Sequence, residues 1–185
     1  MKNENNDDNR LIAEILSGNK SAMKMLVERY KKKAFFLALG MVGNSDEAYD
    51  ISQEAFIKVF KSAGRFDQNQ RFFPWFYSIV INLCKDCLHR RETHDSKKID
   101  IDDNSFLLVD ERNPETTLVK KEEAVGVQKA IMKLDPEDRE IIMLKHFRDV
   151  SYEEIAVLLN IPKGTVMSRL YYARKKLAKL LNEIK

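Results

Sequence analysis

The 185-residue chain is short of several residue types: two cysteines, four prolines, six glycines, three histidines and one tryptophan. Each shortage excludes something. Two thiols cannot build the disulfide framework on which small secreted domains rely. With so little Gly and Pro, a chain of hairpins and tight turns is not expected, and long helices are the natural reading. There is no glycine-rich phosphate loop and no nucleophile motif, so nothing assembles into a catalytic constellation and no enzyme is expected. Long hydrophobic runs are missing too. The longest stretch without an acidic or basic residue is the 13 residues from Phe72 to Cys84, against the roughly 20 apolar residues that a membrane-spanning helix needs. Residues Met1 to Arg10 lack the apolar core of a secretory signal, so the expected compartment is the cytoplasm, with both thiols reduced and no membrane insertion.

Charge, by contrast, is plentiful, and the net value of +3 hides an alternation. Lys and Arg minus Asp and Glu come to −1 over residues 1–57, +5 over 58–91, −5 over 92–115, −2 over 116–159 and +6 over 160–185. Two basic segments on one chain fit two nucleic-acid contacts, because clustered cations release counterions from a phosphate backbone. Two solvated helix faces would produce the same sums, so the decision falls to the motifs.

Apolar periodicity predicts helices almost throughout. Leu11, Ile12, Ile15 and Leu16 form a short one that Gly18 ends, and Ala22, Met25, Leu26, Tyr30, Leu37, Ala38 and Met41 mark a longer one broken at Gly43-Asn44. Ser45 reads as an N-cap with Asp46 and Glu47 in the first turn, and Ala48, Ile51, Ala55, Phe56, Val59 and Phe60 form the inner stripe of a helix to about Ala63. After a polar loop from Gly64 to Arg71, Pro74 begins a helix with Phe76, Ile79, Val80, Leu83 and Cys87 inward. From Arg91 to Pro114 the periodicity vanishes into acids, Asn and Ser, which reads as a flexible linker; its Phe106 to Val109 patch is either an incidental apolar run or a docking segment. Four helices follow. The first carries Val119, Ala124, Val127, Ile131 and Leu134, and the second Ile141, Ile142, Leu144 and Phe147. The expected fold is therefore all-α: two small helical domains, residues 1–91 and 115–185, joined by an acidic linker over 92–114.

The last two helices carry the sharpest local signal. Ser151-Tyr-Glu-Glu154 is a capping box that opens a short helix with Ile155, Ala156, Leu158 and Leu159. That helix ends at Asn160, a turn of about three residues separates the two, and Pro162 restarts the chain into a longer helix with the inner stripe Val166, Leu170, Ala173, Leu177, Leu180 and Ile184. This is a helix-turn-helix layout. Lys163, Thr165, Ser168, Arg169 and Tyr172 escape the stripe, where a recognition helix presents side chains to base edges; Lys175, Lys176 and Lys179 suit phosphates. A second constellation is Arg65-Phe66, Phe72-Phe73, Trp75 and Tyr77, followed by Asn82, Lys85, Arg90 and Arg91. Aromatic faces among cations suit unpaired bases, although the same aromatics also serve a core. Cys84-x-x-Cys87-x-His89 with His94 has the residue types of a zinc site. On a continuous helix, however, His89 points roughly 140° from Cys84, so the ligands do not converge and no cofactor is expected.

In combination these motifs resemble the bacterial RNA polymerase sigma factors of the extracytoplasmic-function (ECF) group. The residues that carry the resemblance are Asp50-Ile-Ser-Gln53-Glu54-Ala-Phe56, then Phe72-x-x-Trp75-x-Tyr77 with Asn82 and Asp86, then Leu134-x-Pro136-x-x-Arg139. Tyr152-Glu-Glu-Ile-Ala156 and Gly164-Thr-Val-Met-Ser-Arg-Leu170 complete it. The resemblance implies that core RNA polymerase is gripped through Asp50, Gln53, Glu54, Phe56 and Lys58. It implies that Arg65, Phe66, Phe72, Trp75, Tyr77, Asn82, Lys85, Asp86 and Arg90 recognise and melt the promoter minus-ten element, with the Gly64 to Phe73 loop receiving a flipped base of the non-template strand. Lys163, Thr165, Ser168, Arg169, Tyr172 and Lys175 would read the minus-thirty-five element as duplex DNA. It also implies an anti-sigma factor as partner. Ser78 and Ile81 stand where such proteins often have Arg, which thins the basic surface near the minus-ten element. A stand-alone helix-turn-helix regulator would need neither the aromatic loop nor the Asp50 to Phe56 motif, and an adaptor that binds polymerase alone would not need the recognition helix.

Overall fold

A computed structural model describes residues 2–93, 124–146 and 150–184, with side chains from residue 7 to residue 183. Among the described residues every regular element is helical. The chain divides into two compact units, Met1–Ala38 with Asp46–Asp95, and Leu39–Ser45 with Ser96–Lys185. The expected linker lies outside the described residues except for Glu92 and Thr93, as do its Phe106 to Val109 patch, Val119 and Phe147.

The first unit is built from α1 (Lys2–Leu16), α2 (Lys20–Val42, whose last residues belong to the other unit), α3 (Ser45–Ser62), a 3₁₀ turn (Ala63–Arg65) and α4 (Phe72–Thr93). Helix α1 starts far ahead of the expected apolar stretch, and a buried ion cluster explains its polar N-terminal half. Asp8 is only 1% exposed; its carboxylate accepts from the Arg29 guanidinium and the Tyr30 hydroxyl of α2, while Arg29 also donates to Asp7 at 2.5 Å. That donor holds the Asp7 carboxyl below the usual carboxylate range. Glycines in the left-handed region follow α1 (Gly18, φ +89°) and α2 (Gly43, φ +75°), where other residues would be strained. Asp46 and Glu47 occupy the first turn of α3, at the positive end of its dipole.

Helix α4 begins at Phe72, two residues before the expected start, so Pro74 falls within the first turn, where amide hydrogens have no helical partner anyway. The core is an aromatic stack. Phe72 and Phe76 lie with ring centroids 5.5 Å apart and nearly parallel, Tyr30 sits 5.1 Å from Phe72, and Phe56 sits 5.2 Å from Phe76. Leu11, Ile12, Leu26, Ala55, Val59, Val80 and Cys84 fill the remaining space. Each large side chain so enclosed contributes about 1.5–3 kcal/mol. Burial on α4 is wider than one stripe: Phe73, Tyr77, Ile81, Leu83 and Cys84 are buried, whereas Ile79, expected inward, is half-buried. Met25, also expected inward, is 50% exposed.

The second unit contains α5 (described over residues 124–132), α6 (Pro136–His146), α7 (Tyr152–Leu159) and α8 (Lys163–Ile184). Pro136 is the first residue of α6, and Glu137 and Asp138 sit in its first turn. Helices α6 and α7 both pack against α8, and Ile141, Leu144, Ile155, Val166, Leu170 and Ala173 make the shared core. Val127, expected inward on α5, is 40% exposed. The capping box forms as expected: Glu154 N–H donates to Ser151 Oγ at 3.1 Å and Ser151 N–H to Glu154 Oε2 at 2.8 Å. Asn160 caps the other end in the left-handed conformation (φ 51°), and Ile161 N–H reaches Ala156 C=O at 3.0 Å. The turn between α7 and α8 is thus Asn160 to Pro162, the spacing of a helix-turn-helix. No helix among the described residues is long and apolar enough to cross a membrane.

Candidate nucleic-acid interface

Three surfaces gather the residues singled out in the sequence. On α3, the inner stripe of Ala48, Ile51, Ala55 and Val59 leaves the opposite face open, and Asp50, Gln53, Glu54 and Lys58 are exposed there. Lys58 Nζ lies 3.8 Å from Glu54 Oε1, one turn away. Phe56 does not belong to this face: it is 7% exposed and packs on Phe76. The apolar groups that α3 does present are Tyr49 and Ile57, 58% and 50% exposed, in line with Gln53 at four-residue steps. Sequence reading missed both, because a motif aromatic attracts attention before helix phase does.

The second surface is the loop before α4 together with the exposed side of that helix. Arg65, Asn82, Lys85, Asp86 and Arg90 are exposed, the last four on one side of α4. Phe66, Phe72 and Tyr77 are 8%, 0% and 2% exposed, so they cannot stack on a base and are corrected to core residues. Phe66 closes over Trp75 at 5.0 Å and meets Phe72 edge-on at 6.1 Å. Trp75 is half-buried, at the border between core and surface. The loop itself is hydrogen-bonded: Asp67 Oδ1 accepts from the backbone and side-chain amides of Asn69 at 2.9 and 3.0 Å, and Gln70 N–H donates to Asp67 C=O at 2.9 Å. From α1, the Asn9 side-chain amide donates to the carbonyls of Gln68 and Gln70 at 2.7 and 2.9 Å. Arg91 leaves the basic surface, because its Nε donates to Glu47 Oε1 at 3.0 Å and burial pulls its pKa down.

The zinc-like residues sit apart from these contacts. Helix α4 runs on to Thr93, with Cys84 and Cys87 buried and not joined in a disulfide, while His89 is exposed beside Glu92. Burial pushes the Cys87 thiol up. His94 lies outside the described residues, among which no group of His, Cys, Asp or Glu is placed to hold a metal ion.

On the third surface, Val166, Leu170 and Ala173 anchor α8 from behind, and Lys163, Ser168, Tyr172 and Lys175 are exposed, with Thr165 half-buried. Arg169 is half-buried, and its guanidinium lies 3.1 Å from Glu137 Oε2 at the start of α6. Lys176 is likewise held, 2.8 Å from Asp135 Oδ2 and 2.6 Å from Asp138 Oδ2, and Lys163 pairs with Glu153. What α8 shows outward in addition is Met167 and Tyr171, 53% and 63% exposed. They line a shallow pocket with Tyr152, Leu170, Arg174 and Lys175. The phase of the inner stripe could have found them; the expectation that DNA readers are polar passed them over.

Two family models match the chain, "Sigma-70 region 2" over residues 26–94 and "Sigma-70, region 4" over residues 125–177. The chain is 33% identical to the RNA polymerase sigma-H factor of Pseudomonas aeruginosa over 184 residues, covering 96% of this chain and 95% of that one. It is also 33% identical to the ECF RNA polymerase sigma factor SigW of Bacillus subtilis over 179 residues, covering 94% and 96%. In fold it is similar to the sigma factor RpoE solved in complex with the anti-sigma factor NepR from Bartonella quintana: TM-score 0.67 at 23% identity, over 86% of this chain and 96% of that one. A helix-turn-helix behind a helical region 2, in the order and over nearly the full length of these relatives, places the chain in the ECF group of RNA polymerase sigma factors, transcription-initiation proteins that are not enzymes.

Proposed function

We propose that the two basic regions divide promoter recognition between them, with residues 1–91 serving the polymerase and the minus-ten element, residues 115–185 the minus-thirty-five element, and residues 92–114 the connection. The observation that carries this reading is the exposed face of α8, where Ser168, Tyr171, Tyr172 and Lys175 project from a helix anchored in a helix-turn-helix. A methyl-bearing or aromatic edge contacts the thymine methyl, a hydroxyl contacts either donors or acceptors, and Lys contacts phosphate. Lys163 and Thr165 lie at the helix start, next to the phosphate backbone in this docking, while Arg169 supports the helix from Glu137 rather than reading bases.

In the first region, Tyr49, Asp50, Gln53, Glu54, Ile57 and Lys58 form the polymerase-binding face. An apolar pair flanked by charges is the composition of an interface centre with a polar rim. Arg65, Trp75, Asn82, Lys85, Asp86 and Arg90 face the minus-ten element, and the 64–71 loop receives the extruded base. The buried Phe66, Phe72 and Tyr77 shape that loop from below. Melting follows from differential binding: contacts made only with the open promoter shift the closed-to-open equilibrium. An anti-sigma factor, as in the RpoE complex, would cover these surfaces in the cytoplasm, where polymerase and promoter DNA reside.

Run-off transcription with bacterial core polymerase on genomic promoter fragments, combined with permanganate footprinting of melted thymines, tests the reading. Protein-dependent transcripts with a melted region upstream of the start are expected. Binding to duplex DNA without core association or melting would refute it.

A further inference from the structure

The two hydrogen bonds from Asn9 tie α1 to a loop about sixty positions away. Both hydrogens of the side-chain amide are committed, one to Gln68 C=O at 2.7 Å and one to Gln70 C=O at 2.9 Å. Asn9 Oδ1 is buried and has no hydrogen-bond partner among the described residues, so the amide is oriented by its two donors. Only Asn, with two geminal N–H groups on a short stem, offers this fork from this distance; Asp would set a carboxylate against two carbonyl oxygens. Next to Asn9 in sequence, Asp8 is locked to Arg29 and Tyr30, so the clamp is mounted on a fixed post. Beyond the clamp, the Asp67 turn directs the side chains of Asp67, Gln68, Asn69 and Gln70 to solvent. The loop is thus held from behind at two alternate carbonyls, with its polar side chains on the outer side.

We infer that Asn9 is a positioning residue for promoter selectivity: by fixing the backbone of residues 68–70 it sets which base the loop accepts at one position of the minus-ten element. The inference rests on the reading that this loop receives an extruded base, and goes beyond it by assigning the loop's shape to α1. Preorganisation is the physical link. A loop already in its binding conformation discriminates between bases by the contacts it makes, whereas a mobile loop adapts to each of them and loses the difference.

The test uses the full chain assembled with core polymerase on a promoter mapped by run-off transcription. Each minus-ten position is replaced in turn by the other three bases, and one minus-thirty-five position is varied as a control. Asn9→Ala is expected to flatten the base preference at a single minus-ten position by about tenfold, the scale of two lost hydrogen bonds. The minus-thirty-five preference and the melting temperature stay close to those of the unaltered chain, and Asn9→Gln, which keeps both donors, partly restores the preference. Asn9→Asp, of the same shape, gives the same flattening and serves if the Ala variant folds poorly. If the double variant Asp67→Ala, Asn69→Ala flattens the preference while the Asn9 variants do not, the loop reads the base without the clamp and the inference fails alone. If neither changes any preference, the loop reading fails and takes the inference with it. A uniform loss at every position, with a lowered melting temperature, would make Asn9 merely structural and also overturn the inference.

Discussion

The aromatic side chains of α4 and those of α8 have opposite fates. Around the 64–71 loop Phe66, Phe72, Phe76 and Tyr77 are buried, while Tyr171 and Tyr172 on α8 are 63% and 61% exposed. Both regions belong to surfaces assigned to DNA, and both are rich in rings near cations. The difference is the width of the face that each helix buries. In the first unit the buried residues of α4, from Phe72 to Cys87, cover about half of its circumference, so a ring on that face meets a neighbour. Helix α8 packs on α6 and α7 along one stripe and leaves the rest to solvent. An aromatic near a nucleic-acid surface is therefore architecture or reader according to helix phase and coverage, not according to its chemistry.

The largest effect expected from this contrast is on stability. Phe72 is fully buried against Tyr30, Phe66, Trp75 and Phe76, so Phe72→Ala should destabilise the first unit by about 3–5 kcal/mol. Tyr172→Ala, at an exposed site, should stay within about 0.5 kcal/mol. Thermal unfolding of the two variants compares them directly. Equal losses would break the distinction between architecture and reader.

Next in size is the ion cluster beneath α1. Removing Arg29 leaves the buried Asp8 carboxylate with the Tyr30 hydroxyl alone among the donors described for it, and an uncompensated buried charge is costly. Because the Arg29 side chain is 30% exposed, a discounted loss of about 2 kcal/mol is expected for Arg29→Ala. Denaturant unfolding measures it, and a change below the level of an ordinary surface substitution would show that water replaces the guanidinium.

Much of this was legible in the sequence and some was not, for definable reasons. Helix ends were legible wherever a local signal sets them: Gly18, Gly43, the Ser151 and Glu154 box, and Asn160. Their chemistry acts within four residues. The phase of α8 was legible for Val166, Leu170 and Ala173 because one-sided packing leaves a clean stripe. Phe72 and Tyr77 lie on the wide buried face of α4, where motif positions and core positions coincide, and Phe66 precedes that helix, where no periodicity marks it as core. Phe56 carries two signals in the sequence, the inner stripe it shares with Ala55 and Val59 and its place in the Asp50 to Phe56 motif, and its burial decides for the stripe. Asn9 and the partner of Arg169 were out of reach, since each contact joins residues far apart in sequence and neither residue type signals its partner.

The recognition helix offers a sharper test of the same distinction. Tyr172 is exposed and Arg169 is paired with Glu137, although both stand outside the apolar stripe. Tyr172→Ala should weaken binding to minus-thirty-five promoter DNA by about 1–3 kcal/mol, and unequally across base substitutions. Arg169→Ala should act on folding instead, lowering the melting temperature slightly, as exposed ion pairs do, with binding to matched and mismatched promoters reduced in proportion. Fluorescence anisotropy on a set of altered minus-thirty-five duplexes measures both. A selective loss with Arg169→Ala would return that residue to the readers.

The smallest effect concerns Lys176, on the border between the two roles. Its ammonium is held by Asp135 and Asp138 at the start of α6, so it serves the fold although its position on α8 faces the basic surface. Hydrogen bonding to Lys176 holds the Asp135 carboxyl below the usual carboxylate range, and the two carboxylates hold the Lys176 amine above the usual lysine range. For Asp135, a depressed value means a contribution that is complete above the ordinary carboxylate pKa of about 3.9 and is lost as pH falls through the lower folded value. For Lys176, a raised value means a contribution present below the ordinary lysine pKa of about 10.4 and lost only as pH rises through the higher folded value. The bridge is therefore constant across neutral pH. Lys176→Met should lower the melting temperature by a few degrees at most between those limits, and the gap to the unaltered chain should close at the acid end, where Asp135 takes up its proton. A gap that persists in acid would assign the loss to the packing of the Lys176 stem on α6, and charge would then play no part in how the domain holds its recognition helix.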